Sequence, residues 1–311
     1  MIRTCLVSLT ALALLAHTAS ADTAKLKSRE FKLMLEPARF KDVEPGGAVK
    51  KFWEEQLKLL IAERLDPRND GAPRHKKHFK AADERTIVFK DTDACVLRRN
   101  NYIFRERTTV GTGEREVTLK FRASDLSQAA DASFKGTRPN ATTKLEEDVA
   151  PLTVGEADQT RFAQPRSTHS QFSLSVTQDV NNNDNIGFLR DATALYSGLQ
   201  ERLAKAGVGP GALAAPLAPG KRFTERGFDG AEVDLGAVDS EFDLVLWYPD
   251  SNATKPELAE LSFKYKIAEA DAAVENRALR LFLALQELPR EWTSPEHQTK
   301  TEAGLPTACT R

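Results

Sequence analysis

Charged residues in this 311-residue chain recur at alternate positions, the spacing that places side chains on one face of a β-strand. Glu30, Lys32 and Met34 stand opposite Phe31, Leu33 and Leu35. Ile103, Arg105 and Arg107 alternate with Tyr102 and Phe104, and Glu116, Thr118 and Lys120 alternate with Val117, Leu119 and Phe121. Lys144, Glu146 and Asp148 share one face, as do Arg222, Thr224 and Arg226. Asp243 opposes Leu244 and Leu246, while Glu260, Ser262, Lys264 and Lys266 oppose Leu261, Phe263 and Tyr265. The polar side of these strands carries carboxylates and cations together, with few Ser, Thr or Gln. A closed barrel with a charged lumen and an apolar outer face under helices gives this pattern, and such a lumen suits a highly charged ligand. Solvated sheet faces whose charges neutralise one another give it too. The pattern alone leaves both open.

The elements that would position these residues are also legible. Trp53, Leu57, Leu60 and Ile61 form one helical stripe, and Phe188, Ala192, Leu195, Leu199 and Leu203 a second. Val274, Ala278, Leu281, Phe282, Leu285 and Leu288 form a third, ended by Pro289. Charged residues on their opposite sides imply that each helix covers something apolar. Polar Asp125 to Thr142 and Gly/Pro/Ala-rich Gly207 to Gly220 read as loops. Asp179 to Asn185 spaces oxygen ligands at alternate positions but lacks the central Gly and terminal Glu of a calcium loop, so a polar turn is expected. His75 and His78 sit among Arg74, Lys76 and Lys77, where cation repulsion disfavours a metal.

The chain begins like an exported protein. Arg3 supplies a positive start, Cys5 to Ala16 an apolar run, and Ala19-Ser20-Ala21 a cleavage site. The run is too short to span a bilayer. Residues 1–21 are therefore expected to be a signal peptide and residues 22–311 one tunnel domain with helical insertions and a short C-terminal tail. A periplasmic or secreted location follows, with no membrane anchor after cleavage. The formal net charge of −1 gives no general attraction to nucleic acid, and none is expected as a partner. Cys95 and Cys309 remain after cleavage, either paired or as free thiols.

Residues in order along the chain resemble the CYTH, or triphosphate tunnel metalloenzyme, family. Ser28, Glu30 and Lys32 stand where that family has two glutamates and a lysine, with Ser28 in place of the first glutamate. Phe89-Lys90-Asp91-Thr92-Asp93, then Leu97, then Arg105-Glu106-Arg107 and Thr118-Leu119-Lys120 resemble its central block. Lys144-Leu145-Glu146-Glu147-Asp148 is similar to its basic residue followed by alternating acids. Lys221-Arg222 resembles a later basic strand, and Glu260 stands where alternating glutamates end the motif, with Ser262 and Lys264 in the other places.

The resemblance implies an α+β fold, an eight-stranded antiparallel β-tunnel with a polar lumen flanked by helices. It implies a phosphorylated small molecule or polyphosphate as ligand, bound by Lys32, Arg105, Arg107, Lys120, Lys144 and Arg222. Arginine suits bidentate contact with phosphate and lysine point-charge neutralisation. Mg²⁺ or Mn²⁺ would be held by Glu30, Glu146, Asp148 and Glu260, with Glu30 and Glu146 in the catalytic role. The expected reaction is metal-dependent hydrolysis of a terminal phosphoanhydride of inorganic triphosphate, polyphosphate or another triphosphate. The carboxylates missing at Ser28, Ser262 and Lys264 favour the alternative, a non-catalytic binding protein for phosphorylated polyanions in the same tunnel.

Overall fold

The computed structural model describes residues 25–41, 45–68, 70–153, 162–294 and 299–310. The expected signal peptide and its cleavage point lie outside the described residues. Nine long strands carry the architecture: β1 (Leu26–Leu35), β2 (Arg85–Asp91), β3 (Tyr102–Thr109), β4 (Arg115–Ala123), β5 (Thr142–Pro151), β6 (Thr168–Val180), β7 (Phe223–Asp234), β8 (Asp239–Tyr248) and β9 (Leu258–Lys266). They pair in the order β2-β3-β4-β6-β5-β1-β9-β8-β7, and β7 pairs back to β2, so the sheet closes on itself. Every neighbouring pair in this ring is antiparallel except β1 with β5, which run parallel. The expected count of eight antiparallel strands thus becomes nine with one parallel junction. The unforeseen member is β6, THSQFSLSVTQDV, whose inward positions are His, Gln, Ser and Thr rather than charges.

Alternation sets the two sides of the ring. Phe31, Leu33, Phe242, Leu244, Leu261 and Phe263 point outward and are buried with Trp53, Leu57, Phe282 and Leu285. Those four come from the helical run α1 (Pro45–Phe52), the π-helical turn Trp53–Leu57 and α2 (Lys58–Arg64), and from a later helix, Ala272–Leu285. Phe263 stacks between Phe31 and Phe242, with centroids 4.7 and 4.9 Å away. On the other flank, Phe104, Leu119, Leu145, Leu174 and Val176 are buried under α3 (Leu189–Leu195) and α4 (Leu199–Lys205). Each fully buried Leu or Phe contributes about 1.5–3 kcal/mol, so the helices hold the ring shut by covering its apolar exterior.

The second helical stripe is therefore two helices. Gly198, at φ 86°, breaks it, and a Cβ there would meet the Ser133 carbonyl oxygen at 2.8 Å. The third stripe forms α5 (Ala272–Leu285), with the Asp271 side chain accepting from Val274 N at its start. Asp125 to Thr142, expected as a loop, contains the short helix Leu126–Ala130, whose Asp125 carboxylate accepts from Ser127 N and Gln128 N. Asp179 and Val180 end β6, and Asn181 to Asn185 is a polar turn, with Asp184 accepting from Asn181 N and Arg138. Among the described residues no helix is long and apolar enough to cross a membrane.

The Asp91-Thr92 segment, which opens the central block of the sequence resemblance, serves the scaffold. Asp91 is buried, and its carboxylate accepts from Thr92 N, Leu97 N and Arg98 N at 2.7, 2.9 and 2.8 Å. It thereby starts the turn Val96–Arg99 and fixes Cys95, which is bonded to Cys309 in the C-terminal tail.

Candidate functional site inside the ring

The ring encloses a cavity of about 1220 Å³. Glu30, Lys32, Arg105, Arg107, Lys120, Lys144, Glu146, Asp148 and Glu260 all line it, as the alternation requires. Arg222 does not. It is exposed, one residue before β7 begins. The inward parity of β7 is the opposite one, carrying Glu225 and Gly227. Arg226 leaves the ring to meet Glu84 at 2.8 Å and the face of Tyr248. A one-residue shift exchanges every side chain between faces, so choosing the basic parity here inverted the strand.

Two walls of the cavity differ in charge and in how their charges are met. On β2, β3 and β4 stand Arg85, Arg105, Arg107, Lys120 and Arg122, with Lys144 following on β5. Among the described residues Arg85, Arg105, Arg122 and Lys144 form no ion pair. Arg105 donates from Nη2 to Thr118 Oγ1 at 3.2 Å, while the buried Nε atoms of Arg105, Arg107 and Arg122 have no partner. Burial, and then Arg107 beside it, pushes the Arg105 guanidinium below its ordinary value. Burial also pushes the Lys120 ammonium down to about 8, although Asp148 opposes the shift. Buried N–H donors without acceptors are costly in a folded chain, and here they converge on one enclosed space.

Most carboxylates of the other wall already have their cations, and Glu146 is the exception. Lys32 lies between Glu30 and Asp148, with Nζ 2.9 Å from Glu30 Oε2 and 2.7 Å from Asp148 Oδ1. Lys120 reaches Asp148 Oδ2 at 2.9 Å. Against burial, which raises it, Lys120, Lys32 and Arg122 hold the Asp148 carboxyl well below the usual range. Glu260 meets Lys300 at 2.6 Å, Asp243 meets Lys264 at 3.1 Å, and Glu225 accepts from Trp247 Nε1 at 2.9 Å beside Arg107. Glu146 accepts from Ser28, the residue standing where the resemblance expects a carboxylate.

This arrangement does not fit a resident divalent cation. Among the described residues no three His, Cys, Asp or Glu side chains gather as a metal site. The expected ligands Glu30 and Asp148 hold an ammonium between them, and Glu260 is taken by a second one. His75 packs edge-on against Trp53 rather than joining any ligand set.

Sequence reasoning missed four contributors. Arg122 lies two residues beyond Lys120 on the same parity, and extending the β4 pattern by one step would have found it. Arg85 opens β2, ahead of the Phe89 to Asp93 segment where the resemblance begins its central block. Glu225 was hidden by the inverted parity. Lys300 comes from the tail, where no periodic pattern marks it.

No protein-family model and no curated relative matches the sequence. Several solved structures are similar to it. An adenylyl cyclase from Hippeastrum, described as having a dominant triphosphatase activity, is 11% identical with a TM-score of 0.43, covering 88% of this chain and 93% of its own. A protein from Bacillus halodurans described as an adenylate cyclase is 12% identical with a TM-score of 0.36, covering 87% and 93%. A third, from Vibrio parahaemolyticus and similarly described, is 11% identical with a TM-score of 0.30, covering 89% and 97%. At these values the likeness carries no argument about this chain. By its ordered motifs and its closed ring with a charged interior the chain resembles the CYTH family.

Proposed function

We propose that the interior of the ring binds a linear polyanion of the triphosphate class, phosphorylated small molecules and polyphosphate included. The observation that carries this reading is the basic wall of Arg105 and Arg122, which have no ion-pair partner among the described residues and unmet guanidinium N–H groups, with Arg85 and the exposed Lys144 beside them. Phosphate oxygens satisfy such donors with charge-assisted hydrogen bonds. Lys32 and Lys120 lie beside them, so an incoming polyanion would share their ammonium groups with Asp148. Export to an oxidising compartment belongs to the same proposal. The leader-like first residues and the Cys95–Cys309 bond support it.

Hydrolysis of a terminal phosphoanhydride is the second reading, favoured by Glu30, Glu146 and Asp148 sharing the cavity with the cations. Phosphate release from tripolyphosphate and ATP, followed with Mg²⁺, with Mn²⁺ and with chelator, separates the two. The binding reading expects no turnover under any of these conditions. Metal-dependent turnover that Glu146→Gln abolishes would instead establish the hydrolase.

The affinity should depend on pH with a defined sign. Lys120 carries its charge below about 8 and loses it above. Tripolyphosphate binding is therefore expected to weaken as pH rises from about 7.5 to 9, with proton uptake on binding near the upper end. For the ligand-free fold the sign is reversed. The folded chain releases the Lys120 proton near 8 while the unfolded chain keeps it to 10.5, so stability rises through that window. Calorimetry in buffers of different ionisation heat reads the first effect, and denaturant unfolding reads the second.

A further inference from the structure

Residues Thr299–Thr310 lie across one end of the ring. Lys300 and Glu302 line the cavity beside Met34, Phe89 and Trp247. Leu305 is buried with Phe89, Ile103, Phe223 and Trp247. Gly304 packs so closely on Phe89, and Gly220 on the Gly304 carbonyl, that neither position has room for a Cβ. Exposed Asp83 and Asp229 border the cavity at the opposite mouth.

Lys300 lies over the Trp247 ring, and Thr301, Gly304, Leu305, Pro306 and Cys309 of this segment are buried. Its helix α6 (Lys300–Gly304) has five residues and a Thr299–Glu302 capping box, too short to be stable alone. Leu305 is its main apolar anchor, and Lys300–Glu260 is its ion pair into the ring. The covalent tie is Cys309 to Cys95, across 214 positions of sequence.

We propose that the tail is a redox-held stopper that makes the cavity blind at one end and so sets the length of polyanion it accepts. This inference rests on the polyanion reading above. With the bond intact, a linear polyanion enters from the Asp83 and Asp229 mouth, and its leading end halts at Lys300. Short chains fit whole, and long chains insert only a terminus. An external dithiol reduces the bond, giving thiols at Cys95 and Cys309 and taking the oxidised disulfide form itself. The tail then keeps only noncovalent contacts: buried Thr301, Gly304, Leu305 and Pro306, the Lys300–Glu260 ion pair and Lys300 over Trp247. Its departure frees Glu260 and opens a passage, so a long chain threads through and meets Arg122 and Lys120 with interior phosphates. Tripolyphosphate gains nothing from the second opening.

The test compares binding of tripolyphosphate and of long-chain polyphosphate to the chain from residue 22 onward, oxidised, reduced with dithiothreitol, and as Cys309→Ser. Tryptic cleavage after Lys300 reports release of the tail, and circular dichroism reports the fold. On reduction, cleavage should appear and long-chain affinity should rise about tenfold, as for a competent form going from roughly a tenth to nearly all molecules. Tripolyphosphate affinity should change less than about threefold, well under the 1.4 kcal/mol that a tenfold change represents. Unchanged long-chain affinity with Lys300 cleaved would overturn the proposal, as would continued protection of Lys300. Loss of the fold on reduction would also overturn it, by making the bond a structural staple. Failure of the oxidised protein to bind tripolyphosphate would sink the polyanion reading instead, while the cleavage pattern still reports on the tail.

Discussion

Arg105→Leu is expected to weaken tripolyphosphate binding roughly 10- to 100-fold while making the ligand-free protein more stable. The two effects have one cause. Arg105 is enclosed by the ring, donates to Thr118 alone, leaves Nε unmet and has Arg107 beside it, while Glu225 and Glu116 attract it without pairing with it. A buried charge in that state costs free energy, and an apolar side chain of similar reach removes the cost. The same charge is what a phosphate needs, and a charge-assisted hydrogen bond contributes about 1.5–3 kcal/mol. Arg107→Leu serves as the control, because Arg107 faces Glu116 at 3.3 Å and Glu225 at 3.5 Å. Its loss strips a buried carboxylate of its cation, so stability should fall. Titration calorimetry and denaturant unfolding of both variants check the pair. A fall in stability for Arg105→Leu would mean that the basic wall is a structural network.

Asp148→Asn should lower ligand-free stability by about 3 kcal/mol, the lower end of what breaking a buried ion pair costs. Asp148 joins Lys32, Lys120 and Ser173 in one cluster. Without its charge, two ammonium groups enclosed by the ring face each other with Glu30 alone to meet them. A polyanion that takes the place of Asp148 restores the balance. Saturating tripolyphosphate is therefore expected to raise the melting temperature more in Asp148→Asn than in the unaltered chain, read by thermal unfolding with and without ligand. A ligand-induced shift smaller than in the unaltered chain would place the phosphates away from Lys32 and Lys120.

Alternation made the interior legible, because a strand buried on its outer face has only one place for its charged parity. Glu30, Lys32, Arg105, Lys120 and Asp148 were found that way, and so were Phe31, Leu119 and Phe263 on the outside. The method failed where the alternation itself is interrupted or diluted. In β7 the pairing with β8 shifts between Phe228 and Ala231, with Gly230 at φ 81°, so the outward parity changes from even to odd within one strand. A short reading of that strand cannot show which parity leads into the ring. The β6 segment presents His, Gln, Ser and Thr to the cavity, so no charged parity marked it as a strand of the ring. The tail reaches the cavity through a disulfide and two close glycine contacts, which belong to tertiary structure and leave no periodic trace.

The carboxylates illustrate a different limit. Glu30, Glu146, Asp148 and Glu260 line the cavity, yet position did not reveal partner. Lys32, Lys264 and Lys300 come from three separate parts of the chain, and only the closed ring shows that each one neutralises an acid otherwise suited to a cation. Residue types that suit a metal thus became a lysine-bridged wall.

The most direct measurement is titration of tripolyphosphate into the chain from residue 22 onward, by calorimetry with excess chelator. The account predicts saturable one-site binding that persists without divalent ions and weakens in Arg105→Leu. Absence of binding in chelator, restored by Mg²⁺ or Mn²⁺, would contradict it and return the carboxylate wall to the role of a metal site.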